Sequence, residues 1–160
     1  IKVTKSYLVA LCEEVPEPSP NRCEPDCTSY PACGGCVYRH ITYAHELELK
    51  RSYVGNAFRK AGVAATVRNV RTTGKTVAYR NKAQYPILPD PKTGTPQIGF
   101  FAGASHRLVP ATDCLLQPPV FGDISRDVMR FLTENRIPAY DEATGSGLVR
   151  PLSLFCATKR

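Results

Sequence analysis

The sequence of 160 residues has no apolar run approaching the roughly 20 residues that a membrane-spanning helix requires. Its polar beginning lacks the apolar core of a secretory signal. Both absences lead to the expectation of a cytoplasmic protein that does not enter a membrane. No internal repeat and no low-complexity segment is present. From Lys50 to Pro89 there is no Asp or Glu at all. That stretch holds nine cations: Lys50, Arg51, Arg59, Lys60, Arg68, Arg71, Lys75, Arg80 and Lys82. The whole chain carries +7, so everything outside the stretch sums to −2 and the basicity is regional. A cationic tract of this length without one acid suits phosphate neutralisation with counterion release, the first mark of a nucleic-acid-binding surface.

A disulfide framework is also not indicated. The seven cysteines are odd in number, cluster at C-x2-C spacing and follow no secretory signal, which favours a metal site.

The chain length allows one domain with a fragment of another, or two small domains. Tyr7, Val9 and Leu11 alternate as in a half-buried strand, with no evident partner strand nearby. The "PEPSPNRCEP" stretch reads as a stiff connector. A helix is predicted from about Thr42 to Ala61, with Leu47, Val54, Phe58 and Ala61 on one face and Gly62 as its stop. Short strands are predicted at Thr66–Val70, Thr76–Leu88, Gln97–Ala102 and Arg107–Val109, with a hairpin turn in "PDPKTG" at 89–94. A second helix is expected from Asp123 to Asn135, burying Ile124, Val128, Phe131 and Leu132. The predicted fold class is α+β, a mainly antiparallel sheet with flanking helices.

In "CTSYPACGGCVYRH", Cys27, Cys33 and Cys36 form C-x5-C-x2-C. Thiolates hold zinc or iron–sulfur clusters and usually act in fours. The x2 spacing lets two sulfurs face one centre while turn amides point at them, and Gly34 and Gly35 suit a chain wrapped tightly round it. Cys23 as fourth ligand would make a local zinc knuckle. Cys114, in "PATDCLLQPP", would tie the loop to the end of the sheet and resembles the ferredoxin arrangement of three near cysteines and one remote. Cys114 is preferred. Cys12 and Cys156 read as small buried hydrophobes. The C-x3-C-x2-C of radical-generating clusters is absent, and four protein ligands would leave a cluster closed.

The blocks "CTSYPACGGCVYRHITYAHELELK", "YRNKAQYPI" and "IGFFAGASHRLVPATDCLLQ" together resemble the bacterial RNA uracil-5-methyltransferases, in particular the iron–sulfur branch acting on 23S ribosomal RNA. The resemblance covers residues 1 to about 150. It implies a 4Fe–4S cluster on Cys27, Cys33, Cys36 and Cys114. It further implies that residues 1–15 are the last strand of an OB-type (TRAM) domain, and that 16–43 are a proline-rich connector and iron–sulfur loop. Residues 44–150 would form a central RNA-binding domain, and 151–160 the start of a linker to a catalytic domain outside the chain. The family transfers a methyl group from S-adenosylmethionine to C5 of a flipped uridine. No glycine-rich cofactor turn and no nucleophile motif is visible, so this chain is expected to be inactive alone and to act as a monomer on an RNA loop. Arg39 stands where the family usually has Gln, and Pro151 and Phe155 where it tends to have His and Arg.

The expected RNA-binding residues are Lys50, Arg51, Arg68, Arg71, Lys75, Arg80, Lys82 and His106. Arg80 and Lys82 should share a strand face. Tyr79 and Tyr85 offer rings for stacking on unpaired bases, or else pack in the core. His40 is expected to hydrogen-bond the cysteine loop. The rival readings are a zinc-stabilised nucleic-acid-binding module without enzymatic role and an electron-transfer protein, the latter disfavoured by the basic surroundings.

Overall fold

The computed structural model describes residues 1–157; residues 158–160 of the expected linker lie outside them. The described elements run β1 (Lys2–Val3), β2 (Leu8–Val9), α1 (Tyr43–Lys60), β3 (Lys82–Tyr85), β4 (Ile87–Pro89), β5 (Pro96–Phe101), β6 (Leu108–Pro110), α2 (Pro119–Glu134) and β7 (Leu152–Phe155). All the strand ladders are antiparallel, in three small sheets: β1 with β2, β3 with β7, and the meander β4-β5-β6. The mixed, antiparallel class agrees with the pattern in the sequence. A single sheet does not form.

The core is built where the period-2 pattern is clean. In β3 the residues alternate exposed and buried, turning Ala83 and Tyr85 inward. Pro86 then breaks the ladder, having no N–H to give it, so the predicted strand 76–88 survives only as β3 and β4. Tyr85, Ile87, Ile98, Phe121, Leu132 and Ala139 close the core, with Leu152 and Leu154 of β7 packed on it. Tyr85 is fully buried, which settles its alternative in favour of packing. Residues 152–155, read from sequence as the start of a linker, form β7 with Leu154 opposite Ala83 and Leu152 opposite Tyr85.

Four other expectations need correction. The segment around Tyr7–Leu11 has a partner, since Lys2 pairs with Val9 and Val3 with Leu8; both strands are exposed rather than half-buried. Residues 66–70 are extended but outside any ladder. Helix α1 has the expected length and its stop at Gly62, where φ is +70°, yet no residue of it is buried. Val54 and Phe58 remain 44% and 40% exposed, because α1 leans on the irregular segment 63–77 and not on a sheet. Tyr43 Oη meets Thr72 Oγ1 at 2.5 Å, and Arg51 donates to Asn69 Oδ1 at 2.9 Å.

Helix α2 begins earlier than predicted, because Pro119 sits in its first turn, where the fixed φ helps and no N–H is needed. Its inward face is Phe121, Gly122, Ser125 and Leu132, packed over β5. Ile124 and Phe131, expected to be buried, are 38% and 57% exposed. Expected outcome: Leu132→Ala lowers unfolding free energy by about 2–5 kcal/mol, whereas Phe131→Ala costs about 0.5 kcal/mol or less, both read by urea denaturation. The reverse order would mean that α2 docks by the other face.

Candidate functional site

The cysteine loop is held by its own backbone and by the end of the meander. Cys33 N–H donates to Ser29 O at 2.8 Å and Cys23 N–H to His40 O at 3.0 Å. Cys33 forms an antiparallel bridge with Ala102, and Gly34 N–H donates to Phe101 O at 2.9 Å. This approach needs a glycine: a Cβ on Gly34 would lie 2.8 Å from Gly103 N. Gly35 N–H points at Cys33 Sγ, 3.4 Å away, as the turn amides were expected to do. His40 holds the loop from within, its Nδ1 2.5 Å from Tyr30 Oη with the two rings stacked.

Cys114 reaches the same place from the other side of the chain. Its turn is closed by Gln117 N–H donating to Cys114 O at 2.9 Å, and Ala78 and Arg80 N–H groups bond the carbonyls of Leu115 and Leu116. Burial pushes the Cys36 thiol up; Arg39 opposes this, and Cys114, Cys27 and Cys33 add to it. Burial likewise raises Cys114, with Cys27 and Cys33 adding and Arg80 opposing. Cys27, Cys33, Cys36 and Cys114 are half-buried, while Cys12, Cys23 and Cys156 are exposed. The expectation that Cys12 and Cys156 are buried hydrophobes is corrected. Cys23 also lines the groove beside Cys36, its Sγ 3.9 Å from Arg39 O.

Among the described residues, no three His, Cys, Asp or Glu side chains close to the spacing of a single metal ion. The donor set nonetheless fits a thiolate-held group in its chemistry. Behind Cys114, Tyr85 Oη, Ser125 Oγ and Gln117 Oε1 are buried without a hydrogen-bond partner, an uncommon concentration of unused polar capacity. Burial and then Cys114 push the Tyr85 hydroxyl up, with Ser125 opposing; the two hydroxyls approach without completing hydrogen-bond geometry.

Beside the cysteine loop runs an open groove of about 620 Å³, walled by Cys36, Arg39, Tyr43, Lys50, Lys75 and Tyr79 among others. Two of its cations are already engaged. Arg39 grips Asp26 through both nitrogens, at 2.5 and 2.8 Å, and Lys50 donates to Glu46 at 2.5 Å, which raises the Lys50 ammonium. Among the described residues Lys75 has no ion pair. Tyr79 is 52% exposed at the groove wall.

The structure thus brings together Lys50 and Lys75, with Arg51 on the same helix and Arg68 and Arg71 exposed on the segment that flanks it. Arg80 is exposed but precedes β3, so the shared strand face with Lys82 is not formed. Lys82 lies over the Phe155 ring at 5.1 Å, and His106 stacks on Phe101, away from the groove walls. Arg39 and Tyr43 were not proposed from sequence as groove residues. Only the fold shows that Arg39 meets Asp26, and nothing in their spacing announces it.

No family model matches the chain. An uncharacterized RNA methyltransferase of Listeria monocytogenes is 35% identical over 163 residues, 99% of this chain and 35% of that protein. Uncharacterized RNA methyltransferases of Clostridium tetani and a Nostoc species are each 34% identical, over 98% and 96% of this chain. This chain is homologous to proteins named RNA methyltransferases. It spans about a third of the length of those relatives. Among solved structures, Pyrococcus abyssi tRNA (uracil-54, C5)-methyltransferase, in complex with S-adenosyl-L-homocysteine, shares the fold with a TM-score of 0.60 over 84% of this chain and 29% of its own, at 22% identity.

The Arg39 guanidinium holds the Asp26 carboxyl below its ordinary value. A depressed folded-state pKa contributes stability that is present above the unfolded value near 3.8 and lost as the pH falls through the lower folded value. Asp26 is 62% exposed, so the pair is screened and worth about 0.5 kcal/mol. Expected outcome: Asp26→Asn is less stable than the parent by about that amount at pH 7, and the two converge as the pH is taken below the folded-state pKa. A difference that persists there would assign the effect to something other than charge.

Proposed function

We propose that this chain is the iron–sulfur, RNA-binding portion of a 23S ribosomal RNA (uracil-5-)-methyltransferase. It positions an RNA loop for S-adenosylmethionine-dependent C5 methylation carried out by the part of the relatives that this chain does not span. The observation that carries the reading is the groove itself. One of the four neighbouring thiols, Cys36, lines it together with Lys50, Lys75, Tyr43 and Tyr79. Cations spaced along an open channel track phosphates, and the exposed Tyr79 with the half-buried Tyr43 offers π-faces to unpaired bases.

Cys27, Cys33, Cys36 and Cys114 would hold a 4Fe–4S cluster; bound there, it would act as a covalent tie between the loop and the Cys114 turn. Around it, this chain's own residues act on RNA. Lys75 meets a phosphate directly, Arg51, Arg68 and Arg71 extend the cationic path, and Arg39, fixed by Asp26, shapes the groove wall beside Cys36. The methyl transfer belongs to the remainder of the protein, a division supported by the relatives' greater length and by the S-adenosyl-L-homocysteine complex of the structural neighbour. No helix among the described residues is long and apolar enough to cross a membrane, and the reading takes the protein as a cytoplasmic monomer.

The first test is anaerobic purification with iron, sulfide and zinc analysis. About four iron and four sulfide per chain are expected for a thiolate-bound cubane, lost in Cys114→Ser and kept in Cys23→Ser. Stoichiometric zinc, kept in Cys114→Ser and lost in Cys23→Ser, would overturn the cluster assignment. For RNA, Lys75→Ala should weaken binding to a single-stranded oligonucleotide and make the log–log salt slope shallower by about 0.7. Lys50→Ala should do less, because Glu46 already neutralises Lys50. Anisotropy titrations at several salt concentrations decide it, and equal effects of the two substitutions would sink the role assigned to the groove.

A further inference from the structure

A second cleft lies away from the cysteine groove, and none of the expected RNA-binding residues lines it. It encloses about 400 Å³, within the roughly 300–1,000 Å³ of small-molecule sites. Ile87, Phe100, Phe101, Tyr140, Glu142 and Arg150 are among its walls. Two stacked pairs frame it. The Arg150 guanidinium carbon sits 3.6 Å from the Tyr140 ring centroid, and the His106 ring stacks on Phe101 with centroids 5.5 Å apart. Neither Arg150 nor Glu142 forms an ion pair among the described residues.

This chemistry is specific. The Arg150 guanidinium carbon lies over the Tyr140 ring, and a guanidinium is a group on which single-stranded RNA bases stack. Phe101, 37% exposed, supplies an apolar face. Glu142 is acceptor-only when ionised and so seeks N–H donors, which all four RNA bases present on their Watson–Crick edge. An aliphatic peptide side chain would use the apolar wall but leave Arg150 and Glu142 without partners. A phosphate would meet Arg150 but be repelled by Glu142. Chain charge of +7 favours a polyanion as the carrier of the occupant.

We propose that this cleft receives one unstacked base of a single-stranded RNA, lying against Arg150 and Phe101 with Glu142 accepting a base N–H. The inference rests on the RNA-binding reading above and adds a base-recognition site to its phosphate path. The experiment compares a single-stranded RNA dodecamer with the same dodecamer made abasic throughout, by anisotropy, on the 160-residue chain and on Arg150→Ala, Phe101→Ala and Lys75→Ala. The parent should prefer the base-containing RNA by about 10-fold or more, the worth of one stacked base. Arg150→Ala and Phe101→Ala should each reduce that preference by about 10-fold, the share of one stacked base, leaving the share of Tyr43 and Tyr79, while binding abasic RNA as the parent does. Lys75→Ala should weaken both RNAs alike. Ultraviolet crosslinking followed by peptide mass spectrometry should place the crosslink on the peptides carrying Phe101 or Tyr140.

If both cleft variants keep the parent's preference, or if crosslinks fall only at Tyr43 and Tyr79, the cleft is overturned and the RNA-binding groove stands. If neither RNA binds, the groove reading and the cleft fall together. Both substituted side chains are exposed, and an unchanged thermal midpoint confirms that the variants are folded.

Discussion

The candidate groove depends on the docking of the cysteine loop against the end of the β4-β5-β6 meander. The contact is small: a bridge between Cys33 and Ala102 and a hydrogen bond from Gly34 to Phe101. It nevertheless fixes where the loop carrying Cys27, Cys33 and Cys36 sits against the sheet. Without a side chain at Gly34 the two backbones approach closely, and that closeness leaves the loop few other ways to sit. The groove beside Cys36 is a consequence, since the loop supplies one wall and α1 with the segment after it supplies the other.

Charge is arranged around this centre in two different ways. Arg39 and Lys50 are committed to internal partners and shape the groove, while Lys75, Arg68 and Arg71 are exposed and have no ion pair among the described residues. Arg80, expected on one strand face with Lys82, stands exposed ahead of β3. The position of a cation relative to the loop, more than its mere presence, decides what it does.

The parts of the molecule that were legible in the sequence are those governed by local rules. The C-x5-C-x2-C spacing, the helix ended by Gly62 and the turn between β4 and β5 all follow from a few neighbouring residues. The length of β3 was overread because Pro86 interrupts hydrogen bonding even where the apolar alternation continues. The buried face of α2 was misjudged because Ile124 and Phe131 are as apolar as Phe121 and Leu132, and only the position of β5 selects between them. The apolar positions of α1 look like a core stripe, yet no sheet lies opposite to bury them. Cys12 and Cys156 were read as buried by residue type, although their surroundings provide no cover.

The sequence by itself determined an antiparallel α+β domain, a cluster of three thiols and a regional excess of positive charge, because spacing, turn residues and composition act over short distances along the chain. Tertiary structure alone decided that Cys114 is half-buried while Cys23 is exposed, that Lys50 is paired while Lys75 has no ion pair among the described residues, and that the Arg150 guanidinium sits over the Tyr140 ring at a second cleft. Each of these depends on which distant segments are brought into contact, and that is set by how the core closes around Tyr85, which no local pattern encodes.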